Sequence, residues 1–178
     1  MGSGQRVHGS LCAVAGVGVL LLGKSGIGKS ECALELVMRE HRLVADDVVL
    51  LAPLPGGGLE GTADALIRHY MELRGIGIIH VPSLFGAHSV VERHSIDLVV
   101  LLEAWGSGEV ERVGIETERI ELGGVEVPAI HLPVAPGRNL ASLVEVAARN
   151  HLLRRQGRSP AADLDARVLA KLRGDTEP

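Results

Sequence analysis

The stretch Gly23-Lys24-Ser25-Gly26-Ile27-Gly28-Lys29-Ser30 constrains this chain more than any other. It fits G-x-x-x-x-G-K-[ST] and lies between a short apolar run, Val17 to Leu22, and a segment of helical spacing in which Ala33, Leu34, Leu36 and Val37 form one face. The order is therefore strand, loop, helix. Glycines let successive backbone N–H groups curl around a phosphate, the helix N-terminus adds partial positive charge, and Lys29 can reach the β/γ-phosphates. Ser30 supplies a hydroxyl to Mg²⁺. An ordinary glycine turn before a helix is the competing description, and the agreement of the pattern with both flanks disfavours it. The loop implies a nucleoside triphosphate and leaves the acceptor open.

Composition narrows the class. At 178 residues the chain is about one domain long. With 46% hydrophobic and 22% charged residues it is globular, and with only 2% aromatics its core must be built from Val, Leu, Ile and Ala. Stacking platforms for single-stranded nucleic acid are excluded on that ground. The 18 basic and 22 acidic residues give a net charge of -4, which argues against a general binder of nucleic acid or anionic membranes. Cys12 and Cys32 make neither a disulfide framework nor a zinc site, and neither is a candidate nucleophile. No apolar run approaches the roughly 18–20 residues that span a bilayer. A reduced, cytoplasmic protein is expected.

Residues 1–5 read as an N-terminal tail or cloning scar, 6–172 as one catalytic domain and 173–178 as a C-terminal tail. Ser10 to Val14 and Val17 to Leu22 flank Gly16 as paired strands. Leu43 to Leu51 has the composition of a central strand interrupted by Asp46 and Asp47, and Leu98 to Leu102 that of a strand buried on both faces. Leu66 to Leu73 and Gly75 to Val81 are short strands or turns. A hairpin is predicted from Ile115 to Ile130 around Gly123-Gly124, followed by two C-terminal helices, Asn139 to about Gln156 and Ala161 to Leu172. The fold class is α/β, a single P-loop domain with a mixed β-sheet.

Acidic residues near strand ends are candidates for the metal and the nucleophile. Asp46 and Asp47, adjacent on a strand, would point to opposite faces. Burying a carboxylate there calls for a nearby cation such as magnesium or Lys29; the alternative is an acidic pair at a strand-to-turn boundary. Glu103, after Leu98 to Leu102, is either an acid beside the metal or a charged strand end. The basic cluster Arg149, Arg154, Arg155 and Arg158 is either a partner surface or a solvated helix face. The eight histidines show no convincing zinc spacing.

Taken together, these motifs resemble the C-terminal catalytic domain of HPr kinase/phosphorylase. The resemblance runs from about His8 to His151. It rests on Val7-His8-Gly9-Ser10, Gly16-Val17-Gly18-Val19-Leu20, the loop Gly23 to Ser30 with Glu31, Leu43-Val44-Ala45-Asp46-Asp47-Val48, Met71-Glu72-Leu73-Arg74-Gly75-Ile76-Gly77-Ile78-Ile79 with Leu84-Phe85-Gly86, and Pro133 to Ala141. It implies a phosphoenolpyruvate-carboxykinase-like fold and a hexamer. It also implies a bifunctional enzyme that uses ATP and Mg²⁺ to phosphorylate a serine of HPr, the phosphocarrier of the sugar phosphotransferase system, or of an HPr-like protein. The same enzyme would remove that phosphate with inorganic phosphate, releasing pyrophosphate. Position by position, His8 matches an active-site histidine, Lys29 the P-loop lysine, Asp47 the catalytic aspartate and Asp46 its near partner. Ser30 and Glu72 match the magnesium positions, and Arg112 the active-site arginine.

The sequence departs from the family pattern in four ways. The usual N-terminal domain is not in this sequence, which is read either as a piece of a longer protein or as a naturally short form. Lys24 stands where an acidic residue is common, and His80 where a small polar residue is usual. Ala135 lacks the basic side chain common in the segment used for dephosphorylation, which makes phosphorolysis the less supported half. Two other functions are weighed against this one: a P-loop kinase of a small metabolite, and a nucleotide-sensing module without catalysis. The first leaves His8 and the segment Glu72 to Ile79 unexplained, and the retention of Lys29, Ser30, Asp46 and Asp47 argues against the second.

Overall fold

The computed structural model describes residues 5–106 and 118–173. In chain order its elements are β1 (Gln5–His8), β2 (Ser10–Val14), β3 (Val17–Gly23), α1 (Lys29–Met38), β4 (Arg42–Ala45), β5 (Val48–Pro53), β6 (Leu59–Ala63), β7 (Tyr70–Leu73), β8 (Gly77–His80), α2 (Val81–Phe85), β9 (Arg93–Ser95), β10 (Leu98–Ala104), β11 (Glu118–Leu122), β12 (Val125–Val134), α3 (Leu140–Arg155) and α4 (Pro160–Arg173). Among these residues no helix is long and apolar enough to cross a membrane.

The period-2 alternation of the central strands builds three layers. A six-stranded mixed sheet has the order β11-β12-β10-β3-β2-β4, with β3, β10 and β12 parallel to one another. Cys12 and Val14 of β2, Val19 and Leu21 of β3, and Leu98, Val100 and Leu102 of β10 pack on one face with Cys32, Ala33, Leu36 and Val37 of α1 and Ala141, Val144 and Ala148 of α3. The intervening Leu11, Leu20 and Val99 face the other way, against Val49, Leu51, Leu59 and Ile96 around an antiparallel second sheet, β1-β5-β6-β9. Leu98 to Leu102 is continuous because both faces of β10 are covered.

The expected α/β class with a mixed sheet holds, but the sheet is not the whole of the β-structure: the described residues form three sheets, the third being the β7-β8 hairpin. Nor is Leu43 to Leu51 one central strand. The chain bends at Asp46-Asp47, leaving β4 at the edge of the large sheet and sending β5 into the second. Asp47 adopts φ 64, and the Val48 N–H donates to the Asp46 carbonyl at 2.8 Å, a tight turn that ends one strand and redirects the next. Gly123 and Gly124, both at positive φ, close the predicted hairpin as a two-residue turn between β11 and β12. Ile115 lies outside the described residues.

Close backbone approach fixes the start of β3. A Cβ on Gly18 would overlap the Ser95 carbonyl oxygen, and the Gly18 N–H donates to Asp97 Oδ2 at 2.8 Å. On the helical layer, Arg39, the residue that ends α1, donates to Glu145 and Ser142 of α3, and Asn139 caps α3 by accepting from the Ser142 N–H. Helix α4 follows the predicted boundaries closely and buries none of its residues.

His131 of β12 stands between two carboxylates, its Nδ1 2.7 Å from Glu103 Oε1 and its Nε2 2.6 Å from Glu118 Oε2. Ionised carboxylates only accept, so these two contacts favour the imidazolium form, in which both ring nitrogens donate. Partial burial lowers its pKa, but the two carboxylates outweigh this and hold it above the ordinary 6.5. A raised folded-state value contributes stability in full below the unfolded value, and that contribution is lost as pH rises through the folded one. The melting temperature of the wild type should therefore fall relative to H131Q as pH rises from about 6 to about 8. A difference that stays constant with pH would show that the ring is neutral.

Candidate functional site

The P-loop leaves β3 at the C-terminal edge of the parallel strands, the edge where open α/β sheets bind ligands. Gly26 and Gly28 take positive φ, 79 and 106, and Gly28 ends the loop as the residue before α1, so Lys29 and Ser30 occupy the first helical turn. Backbone amides there have no helical acceptor and carry the positive end of the helix dipole. Lys29 Nζ donates to the carbonyls of Gly23 at 2.8 Å and Lys24 at 3.1 Å, which keeps the ammonium against the loop. Lys24, Ser25, Gly26 and Ile27 form the turn between, closed by the Ile27 N–H on Lys24 at 3.2 Å.

Asp46 lies beneath this loop. It is 6% exposed, and its Oδ1 accepts both from Ser30 Oγ at 3.0 Å and from Ser10 Oγ at 2.5 Å. Burial raises its pKa, while the Ser10 and Ser30 hydroxyls and the Asp47 backbone N–H work against that rise. The kink at Asp47 turns the next carboxylate outward. Asp47 Oδ1 lies 3.9 Å from His8 Nδ1, both side chains well exposed, and the Gly9 N–H donates to the Asp47 carbonyl at 3.1 Å. One carboxylate is thus buried against the loop serine and its neighbour is presented to solvent beside a histidine.

The β7-β8 hairpin borders the loop from another side. Met71 and Leu73 face the core, so Glu72 between them is exposed. The following Arg74 lies against the loop itself, its Nη2 2.9 Å from where a Cβ on Gly26 would be. At the far end of this hairpin His80, the departure from the usual small polar residue, bonds Ser83 Oγ through Nδ1 at 2.7 Å and packs on Tyr70.

The structure therefore brings Gly23 to Ser30, Asp46, Asp47 and His8 together through contacts, whereas Glu72 stands exposed on β7, two residues before Arg74. Among the described residues Glu72 makes no hydrogen bond or ion pair with that group. Arg112 lies outside the described residues. Glu103 is one residue beyond Leu102, the partner of Gly23, but its bond to His131 joins it to the β10-β12-β11 edge rather than to Ser30. Ser10 and Arg74 carried no assigned role on sequence grounds. A hydroxyl at the head of an apolar strand signals a buried polar group that needs a partner. Arg74 is brought to Gly26 by a hairpin remote in sequence, which no local pattern announces.

The family model described as HPr Serine kinase C-terminal domain matches residues 1–168. HPr kinase/phosphorylase of Geobacter sulfurreducens is 50% identical over 168 residues, covering 94% of this chain and 53% of that relative. The protein of the same name from Caldanaerobacter subterraneus subsp. tengcongensis is 51% identical over 167 residues, covering 93% of this chain and 55% of its own. The chain thus spans about half the length of these curated relatives. The solved Hpr(Ser) kinase/phosphatase from Coxiella burnetii superposes with a TM-score of 0.80 at 36% identity, over 86% of this chain and 93% of that one. Because the match takes in the loop, the Asp46-Asp47 turn and the β7-β8 hairpin alike, the chain belongs to the HPr serine kinase C-terminal domain family.

Proposed function

We propose that this chain transfers the γ-phosphoryl group of ATP to a serine of HPr, or of an HPr-like phosphocarrier, and removes it by phosphorolysis. The observation that carries the reading is the pair at the loop: Asp46 buried on Ser30, and Asp47 exposed beside His8. The names of the matched relatives supply the acceptor. In this reading residues 6–172 are the catalytic domain of a cytoplasmic hexamer that regulates the sugar phosphotransferase system and carbon metabolism.

Phosphoryl transfer is mostly positioning and charge stabilisation. The amides of Gly23 to Ser30 and the Lys29 ammonium hold the phosphates, and Arg74 adds a second cation over Gly26. Ser30 and Glu72 would offer hard oxygen donors to Mg²⁺, which would supply neutralisation of the nucleotide's phosphate charge. The Ser30 hydrogen is committed to Asp46, so the lone pairs of its oxygen remain for a cation. Asp47 accepts the proton of the acceptor serine as its oxygen bonds to the γ-phosphorus and the bond to ADP breaks. His8 steadies that carboxylate, and Arg112 neutralises charge on the group in transit. In reverse, inorganic phosphate attacks the phosphoserine phosphorus, pyrophosphate forms, and Asp47 returns the proton to the departing serine oxygen. The segment around Ala135 keeps one basic residue, Arg138, which donates to the Pro133 carbonyl at 3.1 Å and lies over the Trp105 ring.

Incubating HPr with the chain, Mg²⁺ and ATP should yield a phosphoserine by mass spectrometry, and excess phosphate should then remove it with release of pyrophosphate. Appearance without removal would restrict the activity to the kinase direction, with Ala135 the first suspect; no phosphoserine despite ATP binding would overturn the reading. Asp47→Asn should keep ATP affinity and lower turnover in both directions by about 10²- to 10⁴-fold, as loss of a general base does. Normal turnover would move the base elsewhere. Arg74→Ala should weaken ATP binding about tenfold in calorimetry, the lower end for one charge-assisted hydrogen bond at an exposed site. Unchanged affinity would make Arg74 a packing residue of the hairpin.

A further inference from the structure

Ser10 has no part in the proposed reaction, yet its surroundings are those of a working group. It opens β2, is fully buried, and pairs across the sheet with Leu21 of β3, the strand that runs into the P-loop. The next residue, Leu11, pairs with Ala45, the last residue of β4 before Asp46. Ser10 is therefore fixed by backbone pairing between the two segments that carry Ser30 and Asp46, and its hydroxyl points to the carboxylate that joins them.

Two hydroxyls converge on one carboxylate oxygen, Asp46 Oδ1: Ser10 Oγ at 2.5 Å and Ser30 Oγ at 3.0 Å. A carboxylate turns readily about its terminal bond, which has only broad, roughly two-fold preferences. A short bond from a side chain anchored in the sheet stops that rotation. Ser30 has one hydrogen to give, and where it goes decides where the oxygen lone pairs point. By fixing Oδ1, Ser10 fixes the direction of the Ser30 lone pairs.

We infer that Ser10 is a positioning residue for divalent-cation binding at the P-loop, acting through Asp46 to orient the Ser30 hydroxyl. The inference rests on the reading of Ser30 as a cation ligand. It places a determinant of cation affinity two residues out from the ligand, behind Asp46; partners that bond a metal ligand directly typically change affinity by roughly 10- to 100-fold, and Ser10, one step removed, belongs at the lower end.

The test is calorimetric binding of ADP to the full chain, with Mg²⁺ and with excess EDTA, and it requires no HPr. Wild type should bind ADP more tightly with Mg²⁺. S10A should lose about tenfold of that gain while binding ADP in EDTA as wild type does, and S10T, which restores the hydroxyl, should recover it. Equal loss in both conditions would make Ser10 a structural residue only, and an unchanged gain would remove it from the site; either overturns the inference. If S10A melts too low to titrate, S10C fills the space with a weak donor and carries the same expectations. A wild type that gains nothing from Mg²⁺ would overturn the reading of Ser30 and this inference with it. Failure to phosphorylate HPr would leave the binding result standing and count only against the proposed acceptor.

Discussion

The site depends on one buried carboxylate. Taking a carboxylate out of water costs several kcal/mol, and Asp46 recovers part of this from two hydroxyl donors, each worth about 1.5–3 kcal/mol when the acceptor is charged. Those donors come from different elements, Ser10 from β2 and Ser30 from α1, so the same interaction ties the end of β4 to the loop. Without it the turn at Asp47 would have no fixed starting point. With it, the backbone reverses at a residue whose left-handed conformation an aspartate tolerates better than most, and the second carboxylate comes out beside His8.

The layering sets where this happens. Because β3 and β10 are covered on both faces, their only open ends are the sheet edges, and the parallel pairing of Leu102 with Gly23 places the P-loop at the C-terminal one. The second sheet then contributes from the side: β1 carries His8 and β5 begins immediately after Asp47, antiparallel with His8 opposite Val48. The site is a junction of two sheets and one helix. Arg74 reaches the same point from the third sheet.

Much of this was legible in the residues, for identifiable reasons. The change from period 2 to period 3.6 across Gly23 to Ser30 marks strand and helix without tertiary information, and the diglycine at 123–124 specifies its hairpin because the turn needs two positive φ angles. The two C-terminal helices follow from Gly157 and Pro160 between them. What could not be read locally is strand partnership. Leu43 to Leu51 is apolar enough to be one strand, and only pairing with two different sheets shows that it is two. His131 looks ordinary in sequence; it becomes an ion-paired centre because β10 and β11 both border β12. Arg74 was illegible for the same reason, and the hydroxyl of Ser10 at the head of an apolar strand signalled a buried polar group without showing that its partner, Asp46, lies far away along the chain.

The two cysteines lie in the helix-facing layer directly behind the loop. Cys12 is on β2 two residues after Ser10, and Cys32 on α1 two residues after Ser30. Burial pushes both thiols up, Cys32 to about 12, and a thiol reacts as its thiolate. Neither can be alkylated or oxidised readily while β2 and α1 remain packed. The chain therefore carries its own reporter: the rate at which a small alkylating reagent consumes these thiols measures how often the packing behind the phosphate loop opens, and any ligand that clamps the loop onto the sheet must slow that rate.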